Sequence, residues 1–271
     1  AGTGGAPRAG KAFHLGLGAC KRSAIIGVDD VDEGVPRLHG QVVGDIDTGD
    51  IARHLGGDDG NVRLDVGVVG GLDDAAFQQL LAMLAPLLDE ASALVLTGSL
   101  PAGTPPDAYR KLGILARERQ VPVFLDADEE HLKWGISAFP YAVKPNRDEL
   151  ERHAGVRLHA DGDWLRAMRG FREAGVERVA ATMGPEGVMM LDGDTAWHAG
   201  GLRIQPACAT GAGDSTLAAM IWAWSRDLPP KRTVALMSAA GGVTTSKPGV
   251  AFCTLEEMLA AADQVTVREV R

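Results

Sequence analysis

From residue 72 onwards, apolar and polar positions follow two alternating periods along the chain. The stretch LDDAAFQQLLAMLAPLLDE has apolar residues every three or four positions, which predicts an amphipathic helix, and the apolar run ALVLTG after it predicts a buried strand. The same pair recurs as PPDAYRKLGILARERQ with VPVFLDA, and as WLRAMRGFREAG with ERVAATMG. Strands that are apolar throughout need helices on both faces, so the pattern predicts an α/β fold with a mainly parallel sheet.

Three more helices are predicted in the C-terminal part of the chain, at roughly 213–226, 231–245 and 254–263. We expect these three helices to close the sheet on one side.

The first quarter of the chain has a different pattern. It is rich in glycine and carries scattered aspartates, and only fragments such as SAIIGV and GQVVGDI resemble strands. Two interpretations are open: a turn-rich β lobe, or a sequence that specifies little structure. We therefore divide the chain into an atypical N-terminal segment, residues 1–71, and a core, residues 72–271.

Composition and charge narrow the classes of function. The formal net charge of −9 argues against a nucleic-acid surface or an anionic membrane as the main partner, because both attract basic patches. The cysteines Cys20, Cys208 and Cys253 are odd in number and far apart, so neither a disulfide framework nor a zinc site is indicated. Because the sequence contains neither an apolar run of about 18 residues nor the layout of a signal peptide, we expect a soluble cytoplasmic protein.

The stretch ATGAGDS places an acid among small residues, directly before the apolar run TLAAMIWAW. Gly211, Ala212 and Gly213 would present free amide N–H groups at a helix N-terminus, where the helix dipole also favours an anion. Asp214 would stand beside this anion hole, where a carboxylate can take a proton from a hydroxyl that attacks phosphorus. The alternative is that Asp214 only compensates the helix dipole and the glycines only allow close packing.

The stretch VKPNRDEL follows a strand and opens a helix, with Asn146 and Glu149 three residues apart. An amide oxygen and a carboxylate on one helix face suit Mg²⁺ that is held partly through water. The alternative is a capping box, in which Asn146 is the N-cap residue and Glu149 reaches back to it.

Several glycine-rich loops follow strands of the predicted sheet. LTGSLPAG leaves one strand through small and rigid residues, and ATMGPEGVMM predicts a strand end followed by a hairpin. In open α/β sheets, ligands bind outside the carboxyl ends of the strands, so these loops are candidate ligand-binding segments.

Together, these stretches carry a resemblance to a known family. In order along the chain they are GSLPAG, LDADEEHL, VKPNRDEL, TMGPEG and ATGAGDS, with AAGGVTTSKPG closing the series. From about residue 72 to its end, the chain resembles the ribokinase/PfkB carbohydrate kinases, in particular the branch of phosphofructokinases that includes 1-phosphofructokinase and tagatose-6-phosphate kinase. The resemblance implies a ribokinase-like three-layer α/β/α sandwich with a small β lid, with ATP and Mg²⁺ as cofactors.

The resemblance also implies roles for individual residues. Asp214 would be the general base that deprotonates a sugar hydroxyl, and Gly211, Ala212 and Gly213 would be the anion hole for the phosphoryl group. Asn146 and Glu149 would organise Mg²⁺, partly through water. The residues implied in ATP binding are Asn146, Thr182, Gly184, Gly187, Thr210, Ser246 and Gly249, and those implied near the phosphosugar are Ser99 and Lys11.

The N-terminal segment departs from the family pattern. Members of the family carry two sugar-contacting motifs there, and only Gly10 and Lys11 resemble a remnant of them. The abrupt change near residue 71 suggests the hypothesis of a shifted reading frame in a GC-rich gene. Translation of the source DNA in the other frames should then recover the missing motifs, and their absence from every frame would contradict the hypothesis.

The resemblance implies ATP-dependent phosphorylation of a ketohexose monophosphate, with fructose 1-phosphate as the first choice and fructose 6-phosphate or tagatose 6-phosphate as alternatives. Members of the family commonly pair through the lid, so a homodimer is also a prediction. A protein of another class stays open: a non-catalytic, nucleotide-binding remnant without a complete sugar site, because catalysis needs a positioned acceptor as well as a base.

Overall fold

A central sheet with helices on both faces organises the part of the chain that the structure describes. The computed structural model describes residues 11–16, 24–28, 38–42, 73–89, 91–98, 100, 103–249 and 251–271. In these residues the main sheet has eight strands in the order β1-β4-β5-β6-β7-β8-β9-β10, and β2 and β3 form a separate antiparallel pair. The strands are β1 Lys11–Gly16, β2 Ala24–Val28, β3 Leu38–Val42, β4 Ala91–Thr97, β5 Val123–Asp126, β6 Ala142–Val143, β7 Arg178–Thr182, β8 Val188–Asp192, β9 Thr195–Ala199 and β10 Val267–Val270.

The main sheet changes direction at β7. Strands β1, β4, β5, β6 and β7 are parallel, which confirms the predicted parallel sheet for this half. Strands β8, β9 and β10 continue the sheet in antiparallel pairing, and of this edge only the β7–β8 hairpin was predicted. The β7–β8 connection is the 3₁₀ turn Gly184–Glu186, and so short a connection joins only antiparallel strands. The predicted hairpin at ATMGPEGVMM is therefore confirmed.

Helices cover the two faces of the sheet with separate hydrophobic cores. Along β4, Leu94 and Leu96 belong to one core and Ala93 and Val95 to the other, as the two-residue period of a strand requires. Helices α1 to α5 contribute to the first core and α6 to α8 to the second, so the three predicted C-terminal helices do close one side of the sheet. The helices are α1 Asp74–Leu88, α2 Ala108–Glu118, α3 Glu129–Ile136, α4 Arg147–Ala154, α5 Asp161–Glu173, α6 Ala212–Ser225, α7 Pro230–Thr245 and α8 Leu255–Ala262.

Helix α6 is buried around most of its circumference. Nine consecutive residues from Ser215 to Ala223 are buried, which explains why this stretch of sequence is apolar on every face. Helix α7 packs closely against it: a Cβ atom on Gly241 would lie 2.6 Å from Thr216 Oγ1. The glycine therefore lets the two helices approach, and α6 is held firmly from its first turn onwards.

The N-terminal segment is described only in its three strands. The predicted strand SAIIGV corresponds to β2, and GQVVGDI overlaps the end of β3. Strand β1 pairs with β4 in parallel and so extends the main sheet. The predicted lid and the boundary at residue 71 stay predictions, because residues 43–72 lie outside the described ranges. No helix in the described ranges is both long and apolar enough to span a bilayer.

Candidate active site

The candidate site lies where the parallel strands end. Asp126 is the last residue of β5, Lys144 follows β6 directly, and Thr182 is the last residue of β7. Asn146 forms an isolated parallel bridge with Thr182, which joins the loop after β6 to the end of β7. The carboxyl ends of parallel strands share one edge of a sheet, and this is the edge at which α/β proteins bind their ligands.

The N-terminus of α6 contributes open backbone N–H groups to this edge. Gly211 is the N-cap residue and has a φ of 79°, in the left-handed region that glycine tolerates. The Ala212 N–H donates to the Ala209 carbonyl oxygen at 3.2 Å, so it is not free to bind an anion in this conformation. The N–H groups of Gly213 and Asp214 have no backbone acceptor within the described residues. Gly213 and Asp214 thus offer open N–H groups at this terminus and Ala212 does not, and the binding of an anion here stays a prediction.

Asp214 itself has an unusual protonation equilibrium. The pKa of Asp214 is raised from 3.8 to about 6, mainly by burial and also by the charge of Asp126, while Lys144 opposes the shift. In the described part of the chain, the carboxylate takes part in no hydrogen bond or ion pair. A carboxylate with a pKa close to neutral and without a structural partner is suited to accept a proton from a ligand.

A buried lysine lies next to this helix terminus. Lys144 is only 5% exposed, and its Nζ lies 2.9 Å from Asp126 Oδ2. A Cβ atom on Gly213 would lie 3.4 Å from Nζ, so the ammonium group is adjacent to the open amides of α6. Burial lowers the pKa of Lys144, but Asp126, Glu149 and Asp214 hold this pKa above its ordinary value. The lysine therefore stays charged and adds positive potential at the N-terminus of α6.

Asp126 and Lys144 are the functional candidates that the sequence analysis missed. They occur in LDADEEHL and VKPNRDEL, which carried the resemblance, but neither residue received a role. A signal was present, because each charged residue directly follows an apolar strand run. Charged side chains in such positions are rarely buried unless they are paired, so a search for oppositely charged partners at neighbouring strand ends would have found them.

Asn146 and Glu149 form the capping box of α4. The Glu149 N–H donates to Asn146 Oδ1 at 3.0 Å, and the Asn146 N–H donates to Glu149 Oε2 at 2.8 Å. Burial raises the pKa of Glu149, although the hydrogen bond from the Asn146 backbone opposes this shift. The geometry is therefore that of the capping alternative, and a role for the pair with Mg²⁺ stays a prediction.

The donor set nevertheless fits a hard cation held through water. The charges of Asp126, Glu149 and Asp214 all raise the pKa of Lys144, so three carboxylates lie within electrostatic range of a single ammonium group. Within the described ranges, no three or more His, Cys, Asp or Glu side chains are arranged to hold a metal directly. Carboxylate and amide oxygens with an excess of negative charge suit Mg²⁺, which keeps several waters and binds substrate phosphates.

A cavity of about 530 Å³ opens beside the first turn of α6. Its walls come from the β7–β8 hairpin, the segment before α6, and helices α6 and α7, and they are largely apolar with a few hydroxyl and backbone groups. Of the residues predicted in the site, those that line the cavity are Thr182, Gly184, Gly187, Ala212 and Gly213. Asn146, Glu149, Thr210, Gly211, Asp214, Ser246 and Gly249 do not line this cavity, within the ranges that the structure describes.

Gly187 shapes the cavity wall through its backbone. It has a φ of 98°, and a Cβ atom there would lie 2.0 Å from the Ala199 carbonyl oxygen. Any larger residue would clash with the end of β9 in the cavity wall. For the two residues predicted near a sugar, the structure gives less: Ser99 lies outside the described residues, and Lys11 is described only as the first residue of β1. Their role in binding a sugar stays a prediction.

Comparisons with known proteins agree with the resemblance. A family model described as pfkB family carbohydrate kinase matches residues 33–258. The chain is 28% identical to 1-phosphofructokinase of Escherichia coli (strain K12) over 181 residues, which cover 67% of this chain and 58% of that protein. It is 28% identical to D-tagatose-1-phosphate kinase of Klebsiella oxytoca over 194 residues, which cover 72% of this chain and 64% of that protein.

A solved structure of phosphofructokinase-2 from Escherichia coli is similar to the fold, with a TM-score of 0.72 and 21% sequence identity. The similarity covers 94% of this chain and 98% of that one, so the predicted ribokinase-like architecture is confirmed. The chain spans less than two thirds of the length of the curated relatives that it matches.

Proposed function

The chain belongs to the pfkB family of carbohydrate kinases, and from this premise we propose that it transfers the γ-phosphoryl group of ATP to a hydroxyl group of a ketohexose monophosphate. The observation that carries the proposal is the Asp214 carboxylate, which has a raised pKa and stands at a helix N-terminus with open amides and a buried ammonium group. A base beside groups that stabilise negative charge is the combination on which phosphoryl transfer to an alcohol depends.

The proposed reaction begins with the proton of the acceptor hydroxyl. Asp214 takes this proton while the hydroxyl oxygen forms a bond to the γ-phosphorus, and the bond from phosphorus to the β,γ-bridging oxygen breaks to release ADP. Negative charge on the transferring group is stabilised by the Gly213 and Asp214 N–H groups and by the Lys144 ammonium group. The chain therefore supplies positioning and charge, which account for most of the catalysis in this reaction class.

The cavity beside α6 is the proposed nucleotide site. Its apolar wall, formed by residues such as Leu202, Ile204 and Met237, suits a nucleobase, and Gly213 in the same lining would bring the phosphates to the open amides of α6. Asn146 and Glu149 are the residues proposed to hold Mg²⁺, partly through water. When bound, Mg²⁺ would neutralise charge on the phosphate oxygens of ATP.

Fructose 1-phosphate is the proposed acceptor, with fructose 6-phosphate and tagatose 6-phosphate as alternatives. Two relatives support an acceptor that carries its phosphate on carbon 1, since one is named 1-phosphofructokinase and the other D-tagatose-1-phosphate kinase. The identity of 28% supports the substrate class more strongly than the individual sugar. A homodimer remains the proposed assembly.

A direct assay tests the proposal. The purified chain is incubated with ATP, Mg²⁺ and each ketohexose monophosphate in turn, and both ADP and the bisphosphate are quantified. We expect equimolar ADP and bisphosphate with at least one of the sugars. Nucleotide binding without turnover on any sugar would contradict the proposal and favour the non-catalytic remnant, and release of ADP without bisphosphate would indicate a hydrolase.

The raised pKa of Asp214 predicts the pH dependence of the activity. The base must be ionised to accept a proton, so kcat/KM should be nearly constant above pH 7 and should fall as the pH drops through about 6. Below that pH the decline should approach tenfold per unit, because one proton inactivates the base. A profile that stays flat down to about pH 4.5, measured where the fold is intact by circular dichroism, would exclude Asp214 as the base.

A further inference from the structure

An aromatic ring supports the turn that begins α6. A Cβ atom on Gly211 would lie 2.3 Å from Phe252 Cε1 and 3.0 and 3.1 Å from its Cζ and Cδ1 atoms, so the ring packs directly against the Gly211 backbone. Phe252 belongs to the segment between α7 and α8, residues 246–254. The turn at Gly211, which begins α6, is therefore in contact with the segment 246–254. Within the described part of the chain, that segment contributes no residue to the lining of the cavity.

Lys247 ties this segment to a helix. Its Nζ donates to the Phe252 carbonyl oxygen at 2.8 Å and to the Glu257 carboxylate at 2.5 Å. Glu257 is fixed in turn, because it forms the capping box of α8 with Thr254. The Lys247 backbone N–H donates to the Thr244 carbonyl oxygen at the end of α7, so the lysine links α7, Phe252 and α8.

The end of α7 also holds the chain on the other side of the turn. The Thr245 carbonyl oxygen accepts hydrogen bonds from the N–H groups of Ala207 and Cys208, which precede the turn. Thr244 Oγ1 donates to Ser215 Oγ at 2.7 Å and accepts from the Cys253 N–H at 3.1 Å. One hydrogen-bonded network thus holds the chain before the turn at Gly211, the chain after it and the segment that carries the Phe252 ring.

We infer that Lys247 is a positioning residue: its bonds to the Phe252 carbonyl and the Glu257 carboxylate hold the Phe252 ring against Gly211 and so keep the open amides of α6 in place. The functional consequence rests on the proposed function, in which those amides stabilise the transferring phosphoryl group. Lys247 acts through Phe252, and a displacement of about 1 Å at a catalytic group is enough to lower a rate strongly.

Hydrogen–deuterium exchange tests the structural half of the inference without any substrate. Lys247→Met keeps the side-chain stem but removes the charge, and Lys231→Met, an exposed lysine in the first turn of α7, is the matched control. In the free protein, we expect Lys247→Met to speed the exchange of the segment 209–215 about tenfold, while α5 and the control stay unchanged. An unchanged rate in that segment, or an equal rise in α5, would overturn the inference.

Kinetics test the functional half. Lys247→Met should lower kcat/KM about tenfold while the dissociation constant of ADP, which lacks the transferring group, changes by less than about twofold. Phe252→Leu should have a similar effect. The double variant should have about the same kcat/KM as the more severe single variant, because both substitutions act through the same contact. Multiplicative effects, or a loss of ADP affinity that matches the loss of rate, would overturn the role of Lys247. If the wild-type chain turns over no sugar, the proposed function fails while the exchange experiment still decides the inference.

Discussion

The Asp214→Asn variant should lose about two to four orders of magnitude in kcat with whichever sugar phosphate the chain accepts, because proton transfer by a positioned base contributes that much. The amide keeps the shape of the side chain but cannot take the proton of the acceptor hydroxyl. Steady-state assays with the sugar phosphate and titration with ADP measure the two consequences separately. ADP should bind within about threefold of the wild-type affinity, because the proposed base would contact the acceptor rather than the nucleotide.

The stability of the same variant provides an internal control. The folded-state pKa of Asp214 is raised to about 6 from 3.8, so its contribution to stability is present below about pH 3.8 and is lost as the pH rises through about 6. Asp214→Asn removes this cost and should raise the free energy of unfolding at pH 8 by up to about 3 kcal/mol. The gain should vanish near pH 4. A matched control is Glu256→Gln, an exposed acid in the first turn of α8, which should change neither rate nor stability appreciably. Full activity of Asp214→Asn would refute the proposed mechanism.

The Lys144→Met variant should be strongly destabilised as well as inactive. Lys144 is buried and paired with Asp126, whose side chain is 17% exposed, so the substitution leaves a carboxylate that is mostly buried without its counterion. Loss of one partner of a buried pair costs about 3–5 kcal/mol. Urea unfolding at pH 8 measures this loss, which should appear as a lower midpoint with an unchanged slope.

A double variant separates the two consequences. Lys144→Met combined with Asp126→Leu removes both charges, and we expect it to recover most of the lost stability, because apolar residues often replace a buried ion pair at little cost. Its activity should stay at least about a hundredfold below wild type, since no ammonium group remains next to the open amides of α6. Recovery of activity together with stability would show that Lys144 serves only the fold.

The helices and strands that the sequence predicted are those whose pattern is local. The structure confirms the predicted helices α1, α2 and α5 and the predicted strands β4, β5 and β7. Burial on one face of a helix, or on both faces of a strand, fixes which positions are apolar, so the sequence shows these elements directly. The elements that were missed show no clear periodic pattern in the sequence. Helix α3 has only eight residues, and β10 has four, of which the central Arg268 and Glu269 are both exposed, so no two-residue alternation marks β10 as a strand.

The site divides in a similar way. The motif around Asp214 identified the base candidate and the helix terminus, because glycines, an acid and an apolar helix follow one another directly in the sequence. The ion pair of Lys144 with Asp126 and its closeness to Gly213 depend on how three distant segments pack, and no local spacing encodes that. For Asn146 and Glu149 the sequence spacing was visible but ambiguous, because it fits both a capping box and a metal site. The hydrogen bonds establish the capping box and do not test the metal site.

The burial of α6 has a consequence for how such kinases diversify. The helix that carries Asp214 is packed on nearly every side by sheet and by α7, so substitutions along it disturb the hydrophobic core before they alter chemistry. If α6 has the proposed role, evolution is expected to conserve this helix and to change the preferred sugar through surface loops and the N-terminal part of the chain. Laboratory selection for a new acceptor should accordingly target those regions and leave the residues of α6 unchanged.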